Sequence, residues 1–355
     1  MSDPRKWARL AVALGILLLL PAAVTLPSVA GPPRAGLSGP LNILLAGIDP
    51  RGTHTRPLSD TIIVAHIPAD RRGVYLFSLP RDLVVWIPPF AKNGVTGRYA
   101  KINAAMALGS ETGPDRYDPG QGWELLATTV GQVTGIKRFD AGAVINFGGF
   151  KRMVQTLGGV EMTVDQDVVS EHLKPDGTRR DLLPGCRIGG KCLRPYTGPQ
   201  KIYPKSTAAV RLRPWEALDF VRQRYGLPRS DYDRQRHQRQ FLRAVARQIT
   251  DPAQLLKVMA TVGDDLTFKD GGHDLTDWLV ALKDVDTTAV VTVTLPGGPV
   301  LEHGKYLGER FGAGVTSFFA AVKRDRVAAY LLDHPTLVDP VVKTRRPSSR
   351  PVTRG

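Results

Sequence analysis

The chain has 355 residues, 42% hydrophobic and 23% charged, a composition that excludes a repeat array, a collagenous chain and a disordered protein. Lysine and arginine number 48 against 33 acids, and the formal net charge of +15 points to an anionic partner: nucleic acid, anionic lipid or a phosphorylated substrate. Two cysteines, Cys186 and Cys192, are too few for a disulfide scaffold or a multi-cysteine zinc module.

The amino terminus sets the compartment. Arg5, Lys6 and Arg9 precede an uncharged apolar run over residues 10–20, which continues more weakly to residue 26 and exits into a Pro/Gly-rich stretch at 27–40. Basic flank, apolar segment and proline-rich exit form the pattern of an export signal. The run is short of the roughly 20 residues of a spanning helix. Ser28-Val29-Ala30 offers a small-residue cleavage site, so a retained anchor and a removed signal both stay open. The anchor is the reading taken, with 1–26 as basic flank and membrane segment and 27–40 as linker. Either way, residues 41–355 are expected outside the cytoplasm. A DNA-binding regulator then loses its partner, and lipid-linked or cell-wall phosphate becomes the better reading of the charge. In that oxidising space Cys186 and Cys192, separated by a glycine-rich turn, are expected to close a hairpin disulfide rather than hold a metal.

The elements follow in chain order. Residues 41–46 read as an apolar strand ending at Gly47, and 61–67 and 74–79 as β-branched strands joined by turn chemistry at 68–73. Residues 100–108 and 122–131 read as helices, 143–147 as a strand, 149–157 as a helix and 160–164 as a strand. A polar Pro/Gly-rich insertion covers 165–213. Helices are expected at 215–225, 231–249 and 315–332, a strand at 289–295, and a basic disordered tail at 339–355. Strands interleaved with helices predict one α/β domain over 41–338, a mixed central β-sheet flanked by helices on both faces. There is no P-loop, no G-x-S-x-G elbow and no H-E-x-x-H motif.

If residue 67 pairs with residue 73, Asp60 lies opposite Pro80, next to Arg81, and Asp49 sits in the loop leading back to Asp60. Two carboxylates beside an arginine suit a divalent cation and a phosphate oxygen; by themselves the three read rather as a surface ion pair or a turn cap. The helix at 231–249 adds more. Phe241, Leu242, Val245 and Ile249 define its buried stripe, and Arg234 and Gln238 fall on that stripe. Arg236, Arg239, Arg243 and Arg247 fall opposite and read as a solvated face. An inward arginine needs an anion, because an unpaired buried charge costs several kcal/mol. A structural carboxylate would serve. With Arg222 and Arg224 a short loop upstream, and no matching cluster of acids, a phosphate clamp is the reading taken.

At these residues the chain resembles the LytR–CpsA–Psr family. Asn42-Ile43-Leu44-Leu45-Ala46-Gly47-Ile48-Asp49-Pro50-Arg51 and Ser59-Asp60-Thr61 are similar to its opening motifs, and Ser78-Leu79-Pro80-Arg81-Asp82 to its S-[IFL]-P-R-D motif. Lys101-Ile102-Asn103-Ala104-Ala105, Leu157-Gly158-Gly159-Val160, Val221-Arg222-Gln223-Arg224 and the run from Asp231 to Leu242 continue the series in order over about 41–250. The resemblance implies a membrane-anchored extracytoplasmic phosphotransferase that moves a glycopolymer from a polyprenyl-pyrophosphate carrier to peptidoglycan. It implies Asp49 and Asp60 as ligands of Mg²⁺ (or Mn²⁺), and Arg81, Lys101, Arg222, Arg224, Arg234 and Gln238 as the pyrophosphate grip, with the acids and arginines catalytic. Leu58 stands where many members carry arginine, and Arg56 is the candidate substitute. Partners are then the lipid-linked glycan, peptidoglycan and the membrane, not nucleic acid. A pyrophosphatase using water, and a non-catalytic binder of anionic lipid or wall polymer, are the alternatives.

Overall fold

The structure, a computed structural model, describes residues 37–50, 56–188, 192, 194–249, 252–286 and 288–340. The expected anchor at 1–26 lies outside them, and among the described residues no helix is long and apolar enough to cross a membrane.

The strand Leu41–Ile48 is apolar on both faces, and this makes it central. Ile43 and Leu45 point into one core, Leu44 and Ala46 into the other. Its neighbours complete a six-stranded mixed sheet in the order Leu266–Lys269, Ala141–Asn146, Leu41–Ile48, Ser59–Ile67, Val74–Ser78, Val290–Val293. Leu41–Ile48 runs parallel to Ala141–Asn146 and antiparallel to Ser59–Ile67. Helices Phe147–Thr156, Pro214–Phe220 and Asp231–Gln248 cover one face, and Pro119–Thr134 and Val315–Lys323 the other. The α/β fold with helices on both faces is as expected from the interleaved pattern.

Several local expectations change. The hairpin register is offset by one residue: Ile63 pairs with Ser78 and His66 with Tyr75, which carries Asp60 opposite Arg81 rather than Pro80. All of the 68–73 turn is used, because Arg71 adopts φ 59° and turns its guanidinium inward onto the carbonyls of Leu37, Gly39, Pro68 and Ala281. Leu37 is fully buried, so the core includes a residue of the expected linker. Residues 98–101 form a strand and the helix starts only at Ala104. Ser206–Leu212, assigned to the insertion, pairs antiparallel with Val160–Val164; its mostly exposed edge position hides the strand alternation. The late helix breaks at Asp325 (φ 54°), whose carboxylate leaves the helix to accept from His66 and the Ala69 amide. The sequence reading also missed the hairpin of Gly297–Glu302 with Lys305–Phe311.

The largest correction concerns Arg239 and Arg243. Both are buried, Arg239 to 1% exposure, and Arg236 is nearly so; of the four arginines read as solvated only Arg247 is exposed. The segments that cover that side are remote in sequence. Asp339, expected in the tail, is 5% exposed and takes Arg239 Nε and Nη2 at 3.1 and 2.8 Å. Arg239 also donates to Ser78 Oγ and Thr294 Oγ1, so it rivets the helix to the last residue of one strand, to the residue after another and to Asp339. Asp165 takes Arg236 at 2.9 Å and His237 at 3.3 Å.

Removing one partner of such a pair strands the other. Arg239→Met is expected to lower unfolding free energy by about 3–5 kcal/mol in urea melts, and Arg239→Met with Asp339→Leu to recover most of it. An unchanged midpoint in the single variant would contradict the rivet. Burial pushes the Asp165 carboxyl up, but the His237 and Gln240 hydrogen bonds and Arg236 hold it at about 2. A depressed carboxyl stabilises above its unfolded value of about 4 and loses that contribution as pH falls toward the folded one. The stability gap between wild type and Asp165→Asn should therefore be full at neutral pH and close on acidification from pH ~4 toward ~2.

Candidate active site

Strands Leu41–Ile48, Val74–Ser78 and Ala141–Asn146 point the same way, and their carboxyl ends share one edge of the sheet with the start of Ser59–Ile67. Such an edge is where α/β sheets bind ligands. A cavity of about 470 Å³ opens here. Its inner wall is apolar, with Leu45, Ile63, Phe150, Met153, Phe241 and Leu242. Its polar wall carries Asp49, Asp60, Arg81, Arg222, Arg224, Arg234 and Gln238, seven of the eight residues expected at a metal and pyrophosphate site.

The expectation of arginines without matching acids does not hold for Arg222 and Arg234, two of the three it covered, and Arg81 is paired as its place beside Asp60 implied. Arg81 Nη1 meets Asp60 Oδ1 at 2.5 Å, Arg222 Nη2 lies 3.4 Å from Asp49 Oδ2, and Arg234 Nε donates to Asp231 Oδ1 at 2.9 Å. Arg224 instead donates to the Tyr225 hydroxyl at 3.1 Å, with no acid paired to it among the described residues. Burial lowers the Arg234 pKa; Asp231 works against this, while Arg81 and Arg224 lower it further. The guanidinium groups therefore sit within reach of one another's fields. Arg222 lies 4.2 Å over the Phe147 ring, where the polar and apolar walls meet.

Gln238 lines the cavity, but its Nε2 donates to the Val221 carbonyl at 3.2 Å and its buried Oε1 has no hydrogen-bond partner among the described residues. Its donor holds the turn that bears Arg222. Lys101 does not line the cavity. It pairs with Asp82 at 3.3 Å, one residue outside Arg81. Arg56, the candidate substitute at Leu58, pairs with Glu111 at 3.0 Å and also lies off the cavity lining.

Arg222 and Arg224 belong to a turn, not to the expected helix 215–225; the helix ends at Phe220. The Asp219 carbonyl accepts the Arg222 amide and the Gln223 side chain in place of the Gln223 amide that a continuing helix would use, and Gln223 Nε2 also reaches Asp219 Oδ1 at 2.6 Å. With Gln223 2% exposed, its two neighbours are left facing the cavity. Asp219 is further held by the hydroxyls of Ser170 and Tyr203. Gln223 Oε1 accepts the Glu171 amide, fixing Glu171 and His172 on the cavity rim. Burial, then Arg222, Arg179, Arg180 and Arg224, push the His172 imidazole down to about 4, so it is neutral at ordinary pH. Cys186 and Cys192 are joined as expected, and Cys192 lies in the cavity lining.

A second support comes from beyond the motifs. Glu309, on the C-terminal hairpin, accepts the hydroxyls of Tyr306 and Tyr232 at 2.9 and 3.0 Å, and its amide donates to the Asp82 carbonyl. The hairpin thus ties the Arg81 loop to the helix that carries Arg234. Gly308, at φ 158°, permits this approach: a Cβ there would fall 2.5 Å from Asp82 O. Nothing in the sequence pattern marks these contacts, since each joins segments far apart in the chain.

Among the described residues no group of three or more His, Cys, Asp or Glu is placed to hold a metal ion. Asp49 and Asp60 flank one cavity as a two-carboxylate set, a number that fits Mg²⁺ carried in by phosphate oxygens rather than an all-protein cage.

The LytR_cpsA_psr family matches residues 33–321. The cell wall biosynthesis protein LcpA of Corynebacterium glutamicum is 25% identical over 265 residues, 70% of this chain and 45% of that one. The polyisoprenyl-teichoic acid–peptidoglycan teichoic acid transferase TagU of Bacillus cereus is 26% identical over 231 residues, 65% of this chain and 58% of that one. The chain thus spans about half the length of the curated relatives it matches. The crystal structure of a Streptococcus agalactiae protein shares the fold, with a TM-score of 0.62, 22% identity and coverage of 81% of this chain and 88% of that one.

If Glu309 holds the two arginine-bearing segments together, Glu309→Ala should quicken amide exchange at residues 81–84 and 231–235 while leaving strand Leu41–Ile48 protected. Uniform loss of protection across the sheet would mean that the hairpin supports the whole fold and not this site.

Proposed function

The chain belongs to the LytR_cpsA_psr family, and on that premise we propose that it is a phosphotransferase that moves a glycopolymer from a polyprenyl-pyrophosphate carrier onto a sugar hydroxyl of peptidoglycan, outside the cytoplasm and next to the membrane. The observation that carries the reading is the junction of charge and grease in one cavity. Arg222 lies against Phe147 where the guanidinium wall gives way to an apolar one, as a pyrophosphate ending in a hydrocarbon chain requires. Wall polymer and peptidoglycan come to the proposal from the name of the TagU relative.

Arg81 and Arg222 are paired with Asp60 and Asp49. Asp49 and Asp60 would hold the cation of a magnesium pyrophosphate, and Arg81 and Arg222, released from them, would bind its phosphate oxygens. Bound there, Mg²⁺ would neutralise charge on the phosphate oxygens. Arg224, which donates to the Tyr225 hydroxyl, and the buried Arg234 line the same cavity and would take the same anion. The acceptor oxygen forms a bond to the phosphorus that bears the glycan as the bond from that phosphorus to the bridging oxygen breaks. Polyprenyl phosphate leaves with the electron pair, and the hydroxyl proton leaves to solvent. The arginines stabilise the charge that grows on the leaving oxygen. Gln238 and Gln223 act by holding the arginine turn.

Incubating the soluble domain with a labelled polyprenyl-pyrophosphate oligosaccharide, peptidoglycan and Mg²⁺ tests this by product mass. A glycan–phosphate–sugar diester is expected; free glycan phosphate alone would indicate a pyrophosphatase, and no turnover a binder. Arg234→Gln should cost about thirtyfold to a thousandfold in turnover. It should change stability little, because Asp231 keeps Gln235 and some solvent. Arg247→Gln, at the exposed position of the same helix, should change neither. A destabilised Arg234→Gln that is fully active when folded would make Arg234 a structural pair instead.

A further inference from the structure

The ribbon formed by Val84–Ile87 and Arg98–Lys101 begins one residue beyond Leu83, directly after the Arg81-Asp82 loop. Its inner face is Val85 and Ile87, both buried. Its outer face follows from the register: Val84 is opposite Lys101 and Trp86 opposite Tyr99, and opposed residues share a face. Trp86 is 44% exposed and Tyr99 75%, an unusual pair to leave in solvent. The rings are ordered against each other, T-shaped with centroids 5.3 Å apart. The Trp86 ring is also seated. A Cβ at Gly97 would fall 2.4 Å from its Cζ2, so glycine there lets the indole lie down on the strand with its other face open.

Polar groups continue this face toward the cavity. Lys101 Nζ lies 5.0 Å over the Tyr306 ring and 3.3 Å from Asp82, whose other oxygen receives the Tyr306 hydroxyl at 3.5 Å. Asp82 is next to Arg81, which lines the cavity. Lys101 and Tyr99 are two residues apart on one strand face, a spacing of about 7 Å. Open aromatic faces interleaved with hydroxyl-binding charges suit sugar rings, which offer C–H bonds on one side and hydroxyls at the edge. A bilayer would have to strip water from Lys101, Asp82 and Glu309 to cover the same surface.

We propose that this outer face is the acceptor subsite, binding a glycan strand: Trp86 and Tyr99 stack on its pyranose rings, and Lys101 and Asp82 bind hydroxyls, so that a sugar hydroxyl is presented to the phosphate beside Arg81. The proposal rests on the transferase reading given above. It also accounts for Lys101, which stands outside the cavity lining. Binding of the soluble domain to a β-1,4-linked N-acetylglucosamine tetramer, followed by titration calorimetry, and to peptidoglycan stripped of attached polymer, followed by sedimentation, tests it without any turnover. Tyr99→Ala and Trp86→Ala should each weaken both by about threefold to tenfold, and Trp86→Phe should retain most of the binding. In the transfer assay the same variants should raise the KM for peptidoglycan and leave the KM for the donor and hydrolysis to water unchanged. Tyr99, three-quarters exposed, can be truncated without disturbing the ribbon, so a folding defect in Trp86→Ala leaves the test intact. Glycan binding that depends on both rings in a chain that transfers nothing supports the subsite and overturns the transferase reading. Transfer with an unchanged acceptor KM in Tyr99→Ala overturns the subsite. So does loss of binding to anionic phospholipid vesicles with glycan binding intact, which would make the face a membrane contact.

Discussion

Four guanidinium groups at the carboxyl edge of one sheet, against the wall of an apolar cavity, are the constraint on which the rest of the structure depends. Charge held away from water must be compensated. Asp49, Asp60 and Asp231 do this for Arg222, Arg81 and Arg234, while Tyr225 serves Arg224. Each pair leaves the cation on the cavity surface and within reach of an anion, in contrast to Arg239, which has no such access. The ion pairs offset most of the guanidinium charge and define where an incoming anion must compete.

Holding those groups still falls to side-chain hydrogen bonds rather than to further ion pairs. Gln223 ends a helix by taking its carbonyl, and in doing so turns Arg222 and Arg224 outward. The buried Asp219, with hydroxyls from Ser170 and Tyr203, fixes Gln223 in turn. On the other side Glu309 joins Tyr232 and Tyr306 and so links the Arg81 loop to the helix of Arg234. Positioning of this kind, rather than covalent chemistry, is what phosphoryl transfer asks of a protein.

The helix Asp231–Gln248 shows how much of this was legible in the sequence. Its periodicity identified Phe241, Leu242, Val245 and Ile249 as core and Arg234 as inward; all are buried except Leu242, which is half-buried against the same core. The same periodicity read Arg236, Arg239 and Arg243 as solvated, because a hydrophobic stripe cannot register a side covered through the ion pairs of Arg236 with Asp165 and of Arg239 with Asp339, remote in the chain. The motif series brought Asp49, Asp60, Arg81, Arg222, Arg224, Arg234 and Gln238 to one cavity, yet misplaced Lys101, whose strand position puts it on the outer ribbon face. The hairpin register was off by one because the role of Arg71, a buried arginine capping carbonyls from remote segments, is set only by tertiary contacts. Tyr306, Glu309 and Gln223 belong to the same class: their function is a contact, and no local pattern announces it.

The central claim is that these arginines are arranged for a pyrophosphate anion, and it can be tested without the lipid or the wall. Calorimetric titration of the soluble domain with a methylene-bridged diphosphonate, in the presence of Mg²⁺, should show one site per chain. Its affinity should exceed that for a methylphosphonate and collapse in an Arg222→Gln, Arg224→Gln variant that melts like wild type. Equal, weak binding of the two phosphonates, unaffected by the double change, would contradict the account and leave the arginine wall as ion pairing internal to the fold.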